Sequence, residues 1–253
     1  PDWARSVYVQ ADGKILIGGL ALDYYTDDVL PHPRYDLAVS RYLSNGDLDT
    51  AFGVDGVAIA DLKNVYGGGH ITVQRDGKVL ITGQVDEPET SIVMIRFDQD
   101  GMVDSSFGVG TGIVTINPEG FARGGVATFQ ADGKILIAGS SKKDYDADND
   151  FFIARYHIDG SPDESFGNGA GFVTTGFGQD PYTNVVKDAN DVAQLIALEP
   201  DGRILVAGES SGRPAIARYN SDGSLDETFG AGLGFVTVQA DEQVRISGLE
   251  VQA

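Results

Sequence analysis

The chain has 253 residues, among them 34 Gly, no Cys and one Trp, and its 38 acids against 18 bases give a formal net charge of −20. That acid excess repels phosphate backbones and anionic lipid, no run approaches the roughly 20 apolar residues needed to span a bilayer, and the lack of Cys removes disulfides, thiolate metal sites and a cysteine nucleophile. With 42% hydrophobic residues a core can still form, so a folded protein is expected, with neither nucleic-acid binding nor membrane insertion.

The first predicted strand, residues 6–9, is short and half apolar, and it runs into Asp12-Gly13, a hairpin signal because such turns need a positive φ. Residues 14–17 follow as a strand that is apolar on both faces, as a central strand is. A long insertion at 20–36 leads to a third strand at 37–42, rich in β-branched and aromatic residues, and a fourth at 56–59 closes the unit. The wording then returns. QADGKILIGG at 10–19 comes back as QRDGKVLITG at 74–83, QADGKILIAG at 130–139 and EPDGRILVAG at 199–208. A second phrase follows each one, from Arg41 to Gly53, Arg96 to Gly108, Arg155 to Gly167 and Arg218 to Gly230, and the Phe-Gly pairs that end these phrases lie 55, 59 and 63 residues apart.

Four units, 4–60, 61–116, 117–177 and 178–238, thus make up a single repeat domain over 1–253, and 239–253 reads as the first strand of a further unit. No amphipathic helix is predicted. The fold class expected is all-β: a β-propeller-like array of four four-stranded antiparallel blades plus one extra C-terminal strand. A β-solenoid is the alternative, disfavoured because solenoid coils are usually shorter and lack tight Asp-Gly hairpins. A first strand at both ends points to a stretch of a longer array, or an arc completed by a second chain, ahead of a self-closed ring.

The phrases QADGKILIGG and RYNSDGSLDETFGAGLGFVTV resemble the delta-60 repeat, over essentially all of residues 4–238. The resemblance implies a propeller-type fold and a bacterial, secreted or surface-associated setting. It carries no catalytic residues to transfer.

What recurs in every unit is expected to be structural. Each unit places an Arg eight residues before an Asp: Arg41 and Asp49, Arg96 and Asp104, Arg155 and Asp163, Arg218 and Asp226. A partly buried ion pair is predicted for each. Phe52, Phe107, Phe166 and Phe229 are read as anchors packed between blades, each followed by a Gly with positive φ. In an up-and-down meander the repeated phrases share one edge, so the variable segments share the other, and sequence-specific binding of a protein or carbohydrate is expected there.

Two variable segments stand out. In the run from Asp144 through Asp146 and Asp148 to Asp150, alternating carboxylates resemble half of a calcium loop, so Ca2+ is the one cofactor suggested; Arg155 occupies the place of the bidentate Glu, and a solvated acidic loop is the plainer reading. The insertion carries Tyr24, Tyr25, Asp27, Asp28, His32 and Tyr35, aromatics beside carboxylates as a ligand surface uses, with His70 expected nearby. The Asp-Gly strings of the repeated edge are read as Asx turns. The function expected is therefore a non-catalytic, extracellular scaffold or adhesion module. Its rivals are a carbohydrate-active enzyme using rim carboxylates and a filament or surface-layer subunit that self-associates through its C-terminal strand.

Overall fold

A computed structural model describes residues 2–24, 33–62, 65–86, 89–118, 120–144, 146–178, 190–238 and 246–251. Four four-stranded antiparallel sheets are each a simple meander in chain order. The first holds β1 (Trp3–Val9), β2 (Ile15–Tyr24), β3 (Pro33–Tyr42) and β4 (Val57–Ala60). The second holds β5 (Val65–Val73), β6 (Val79–Asp86), β7 (Thr90–Phe97) and β8 (Ile113–Ile116). The third holds β9 (Phe121–Phe129), β10 (Ile135–Lys142), β11 (Asp150–Tyr156) and β12 (Phe172–Thr175), and the fourth β13 (Asp191–Leu198), β14 (Ile204–Ser210), β15 (Arg213–Tyr219) and β16 (Phe235–Thr237).

The sheets belong to two compact units: Pro1–Ile116 with Ile158–Ser161, and Asn117–His157 with Pro162–Ala253. Within the first unit Leu16, Leu37, Phe52, Ile81, Ile95 and Phe97 form the core; within the second Leu136, Phe151, Phe166, Val206, Ala217 and Tyr219 do. Of the run 14–17 read as a central strand only Leu16 is buried, the other three being half-buried, whereas its counterpart at the start of β6, Val79 to Thr82, is wholly buried, as is every residue of the neighbouring β7.

The Asp-Gly hairpin takes a specific form. Gln10 N–H donates to Lys14 O at 2.8 Å and Gly13 N–H to Gln10 O at 2.9 Å, with only Gly13 in the left-handed region at φ 82°. This is a three-residue loop closed by a left-handed Gly, and the same bonds recur at 74–78, 130–134 and 199–203.

A second feature explains the Gly that ends the first phrase. The first strand of each sheet shifts register about one place: between Ala4 and Ser6 in β1, between Gly68 and His70 in β5, opposite Ala138 and Ser140 in β9, and between Ala193 and Leu195 in β13. The bulge drives the strand's carbonyl towards its partner. A Cβ on Gly19 would lie 1.9 Å from Trp3 O, and one on Gly208 1.9 Å from Val192 O. Only Gly fits opposite such a bulge.

The insertion at 20–36 departs from expectation. Its arms are strand, not loop: β2 and β3 stay in register from Ala21 opposite Asp36 out to Tyr24 opposite Pro33. Once Leu20 and Leu37 anchor the pair in the core, ladder hydrogen bonds carry it outward past residues whose polarity reads as loop. Residues 246–251, the described part of the predicted extra strand, take no part in the four sheets.

Candidate functional site

The repeated edge is an ionic assembly. Arg Nε donates to Asp Oδ2 at 2.8 Å in Arg41–Asp49, 2.7 Å in Arg96–Asp104, 2.7 Å in Arg155–Asp163 and 2.8 Å in Arg218–Asp226. A second cation reaches the same oxygen from the base of the Asp-Gly loop: Lys14 at 3.1 Å, Lys78 at 2.8 Å, Lys134 at 3.0 Å and Arg203 at 3.3 Å. These four bases were missed in reading the sequence, although a base follows every Asp-Gly of the first phrase and that recurrence is the signal for them. The other carboxylate oxygen caps the next turn, as when Asp163 Oδ1 accepts from Ser165 N–H at 3.0 Å and from its hydroxyl at 2.6 Å.

The electrostatic result is uniform. Lys14 is the largest cause of the lowered pKa of Asp49. Burial pushes Asp104 and Asp163 upward, but hydrogen bonds from Lys78 and Ser106 in one, and from Ser165 and Lys134 in the other, outweigh it and hold both well below the usual carboxylate range. The Thr228 hydroxyl leads in bringing Asp226 down to about 2. These acids are fixed anions with no proton to lend near neutrality, which suits a frame and not a general acid.

The arginine and Phe-Gly of one phrase also engage a turn one repeat later. In the first unit Arg41 Nη1 donates to Gln99 O at 2.6 Å, Gly53 N–H to Asp100 O at 2.7 Å, and Gly101 sits on Phe52, where a Cβ would come within 3.0 Å of the ring. Arg96, Gly108 and Phe107 treat Ile158, Asp159 and Gly160 the same way, and in the second unit Arg155, Gly167 and Phe166 so treat Ser221, Asp222 and Gly223. Each guanidinium also lies over its own Phe ring, at 4.4, 4.6, 4.7 and 4.7 Å from the four centroids. The Phe anchors are thus rings pinned between an arginine and, in three cases, a glycine of the following turn.

A cavity of about 490 Å³ opens on this edge in the first unit, lined by Tyr8, Asp12, Lys14, Arg41, Arg75 and Asp76 among others. Two of its cations, Lys14 and Arg41, are committed to Asp49, so little charge there is left to recruit a ligand.

On the divergent edge of the first sheet, Trp3 stacks on Tyr35, with ring centroids 4.8 Å apart and planes at 26°. Trp3 is 52% exposed and Tyr35 half-buried. Asp2 clamps the same corner, its N–H donating to Leu20 O at 2.7 Å and its Oδ2 accepting from Leu22 N–H at 2.6 Å. Tyr35 was anticipated and Trp3 was not; nothing in the spacing links residues 32 positions apart. Tyr25, Asp27, Asp28 and His32 lie outside the described residues, and of Tyr24 only the backbone in β2 is described. His70 lies exposed on β5, opposite Thr82.

The aspartates of 144–150 are not drawn together. Asp144 Oδ1 accepts from the N–H groups of Asp146 at 3.1 Å and Ala147 at 2.9 Å, an Asx turn, while Asp150 opens β11. Among the described residues no three His, Cys, Asp or Glu side chains are grouped as a metal ion requires. Asn149 ties this loop to the start of β13 by 2.6 Å to Asn190 and 2.7 Å to the N–H of Asp191. Asp191 is itself 0% exposed and accepts from Phe177 N–H at 2.8 Å; burial, with the charge of Asp150 adding, pushes it up to about 6.

Compared with known families, the chain matches a family model described as "domain of unknown function (DUF5122) beta-propeller" in four segments, 10–52, 74–107, 130–166 and 199–229. Each segment runs from an Asp-Gly loop to a Phe anchor. A search of curated proteins finds no match.

Proposed function

We propose, for a chain that belongs to the DUF5122 β-propeller family, a non-catalytic binding scaffold that works at an extracellular surface and takes a neutral glycan on its divergent edge. The exposed Trp3–Tyr35 stack carries this reading. Stacking on Tyr35 holds the half-exposed Trp3 ring in place, and that ring offers a flat apolar face at little cost in side-chain entropy, which suits the face of a sugar ring. A net charge of −20 favours neutral over anionic ligands. The non-catalytic reading is supported by the repeated carboxylates, each neutralised by two cations in the frame. The absence of Cys and the acid excess suit the extracellular setting.

Trp3 is the sole Trp, so its fluorescence reports on this patch alone. Titration with neutral oligosaccharides is expected to give a saturable shift of that emission, abolished by Tyr35→Ala with the fold intact by circular dichroism. No saturable change across a broad neutral glycan set would sink the glycan reading. Glycan turnover that disappears on Asp-to-Asn changes would sink the non-catalytic one.

A further inference from the structure

Asn-Gly occurs at Asn45-Gly46 and at Asn168-Gly169, and both pairs are exposed in turns. Their hydrogen bonding differs. Asn45 Oδ1 accepts from Asp47 N–H at 3.1 Å, its Nδ2 donates to Asp47 Oδ2 at 2.8 Å, and Gly46 N–H donates to Leu43 O at 2.9 Å. Among the described residues neither the carboxamide of Asn168 nor Gly169 N–H makes a hydrogen bond, and the turn is spanned only by Ala170 N–H on Gly167 O at 3.3 Å. The frame makes no use of that carboxamide. Asn168 stands at φ 57°, and the same place after the Phe-Gly pair is filled by Val109 at 56° and by Ala231 at 56°. Asn suits the place because it tolerates positive φ, which leaves its side-chain amide without a structural task.

We propose that Asn168 is a site of spontaneous covalent modification, deamidation through a cyclic imide formed with Gly169, and that the bonds around Asn45 guard it from the same fate. The Gly169 nitrogen gives up its proton and bonds to Asn168 Cγ, the Cγ–Nδ2 bond breaks, and ammonia leaves a succinimide. Water then opens the ring at one of its two carbonyls, giving an aspartate or an isoaspartate whose main chain runs through the former side chain. No oxidant or reductant takes part. A Gly nitrogen is the one that reaches Cγ most easily, because no Cβ crowds its approach. At Asn45 the same attack must first free the nucleophile's proton from Leu43 O and the carboxamide from Asp47. The product alters a neutral wall. Asn168 lines a cavity of about 510 Å³ with Phe172, Thr174, Thr175, Ser224 and Leu225 among others, and none of its lining residues is charged. Deamidation sets a carboxylate there, and isoaspartate adds a methylene to the main chain beside Gly167, whose N–H holds Asp222 O at 2.9 Å. Because the change runs one way, the converted fraction records the age of the chain.

The test follows the whole chain in warm, mildly alkaline buffer, folded and in urea, by peptide mapping with mass spectrometry and by enzymatic methyl labelling of isoaspartate. In the folded chain the peptide holding Asn168 is expected to gain one dalton and the isoaspartate label at least about tenfold faster than the peptide holding Asn45, since losing even one hydrogen bond can cost that factor. In urea the two rates converge, because the guarding bonds are gone. Asp47→Ala, with an unchanged circular dichroism spectrum, speeds conversion at Asn45 in the folded chain and leaves Asn168 as it was. Asn45 converting as fast as Asn168 in the folded wild type, or no conversion at Asn168 there, would overturn the proposal. So would a difference between the two sites that persists undiminished in urea, which would assign it to flanking sequence and not to the fold.

Discussion

Asp49, Asp104, Asp163 and Asp226 each answer to two cations, and all four titrate below the ordinary value of 3.8. A carboxylate whose folded pKa is depressed stabilises the fold above its unfolded pKa and ceases to as pH falls through the folded one, so an acid-induced loss of stability is expected below about pH 4. Asp191 has the opposite sign. Raised to about 6, it favours the fold when protonated, a contribution present below its unfolded pKa and lost as pH rises through about 6. Asp191→Asn keeps an acceptor for Phe177 N–H and removes the charge. Unfolding free energies of this variant from urea titrations are expected to match the wild type near pH 4 and to exceed it at pH 7 by about 2–3 kcal/mol, the gap opening between pH 4 and 6. A gap that does not change with pH would remove burial of the charged form as its cause. Only half of this was legible beforehand: the Arg–Asp spacing is local and repeats, while the burial of Asp191 depends on its packing beside residues 149, 177 and 210.

At the level of the strand, the repeated Gly that closes the first phrase is explained by the bulge facing it. Gly208→Ala is expected to cost about 1–3 kcal/mol or more, because the new methyl meets a backbone carbonyl that cannot swing away. Gly67→Ala is the control, since a Cβ there meets nothing within 4 Å and its φ is not positive. Chemical denaturation of both should show a loss in the first and almost none in the second. Equal losses would refute the steric account. The strands themselves were legible where apolar alternation marks them, and the Asp-Gly loops by their turn chemistry. The outer arms of β2 and β3 were not, because residues 21–24 and 33–36 are held by a ladder that begins in the core and not by their own propensity.

Across the whole chain, stability accrues by linking repeats, so each link should be worth what its burial provides. Phe166 is 0% exposed and covered by Gly223, whereas Phe229 is half-buried, with no glycine on its ring among the described residues. Phe166→Ala is expected to cost about 3–5 kcal/mol in urea unfolding and Phe229→Ala a fraction of that. Similar costs would mean that Phe229 is anchored as the others are.

By itself the sequence determined the four units, the core of their strands, their Asp-Gly loops, and the residues inside each phrase that meet, because these follow from short periods, turn chemistry and fixed spacings along one stretch of chain. Only the tertiary structure decided that each aspartate takes a second cation, that a phrase closes on a turn one repeat later, that Trp3 lies on Tyr35, and that the aspartates of 144–150 do not converge. Those outcomes depend on register, bulges and the packing of sheet on sheet. They bring together groups tens of residues apart, and no local pattern in the chain records such distances.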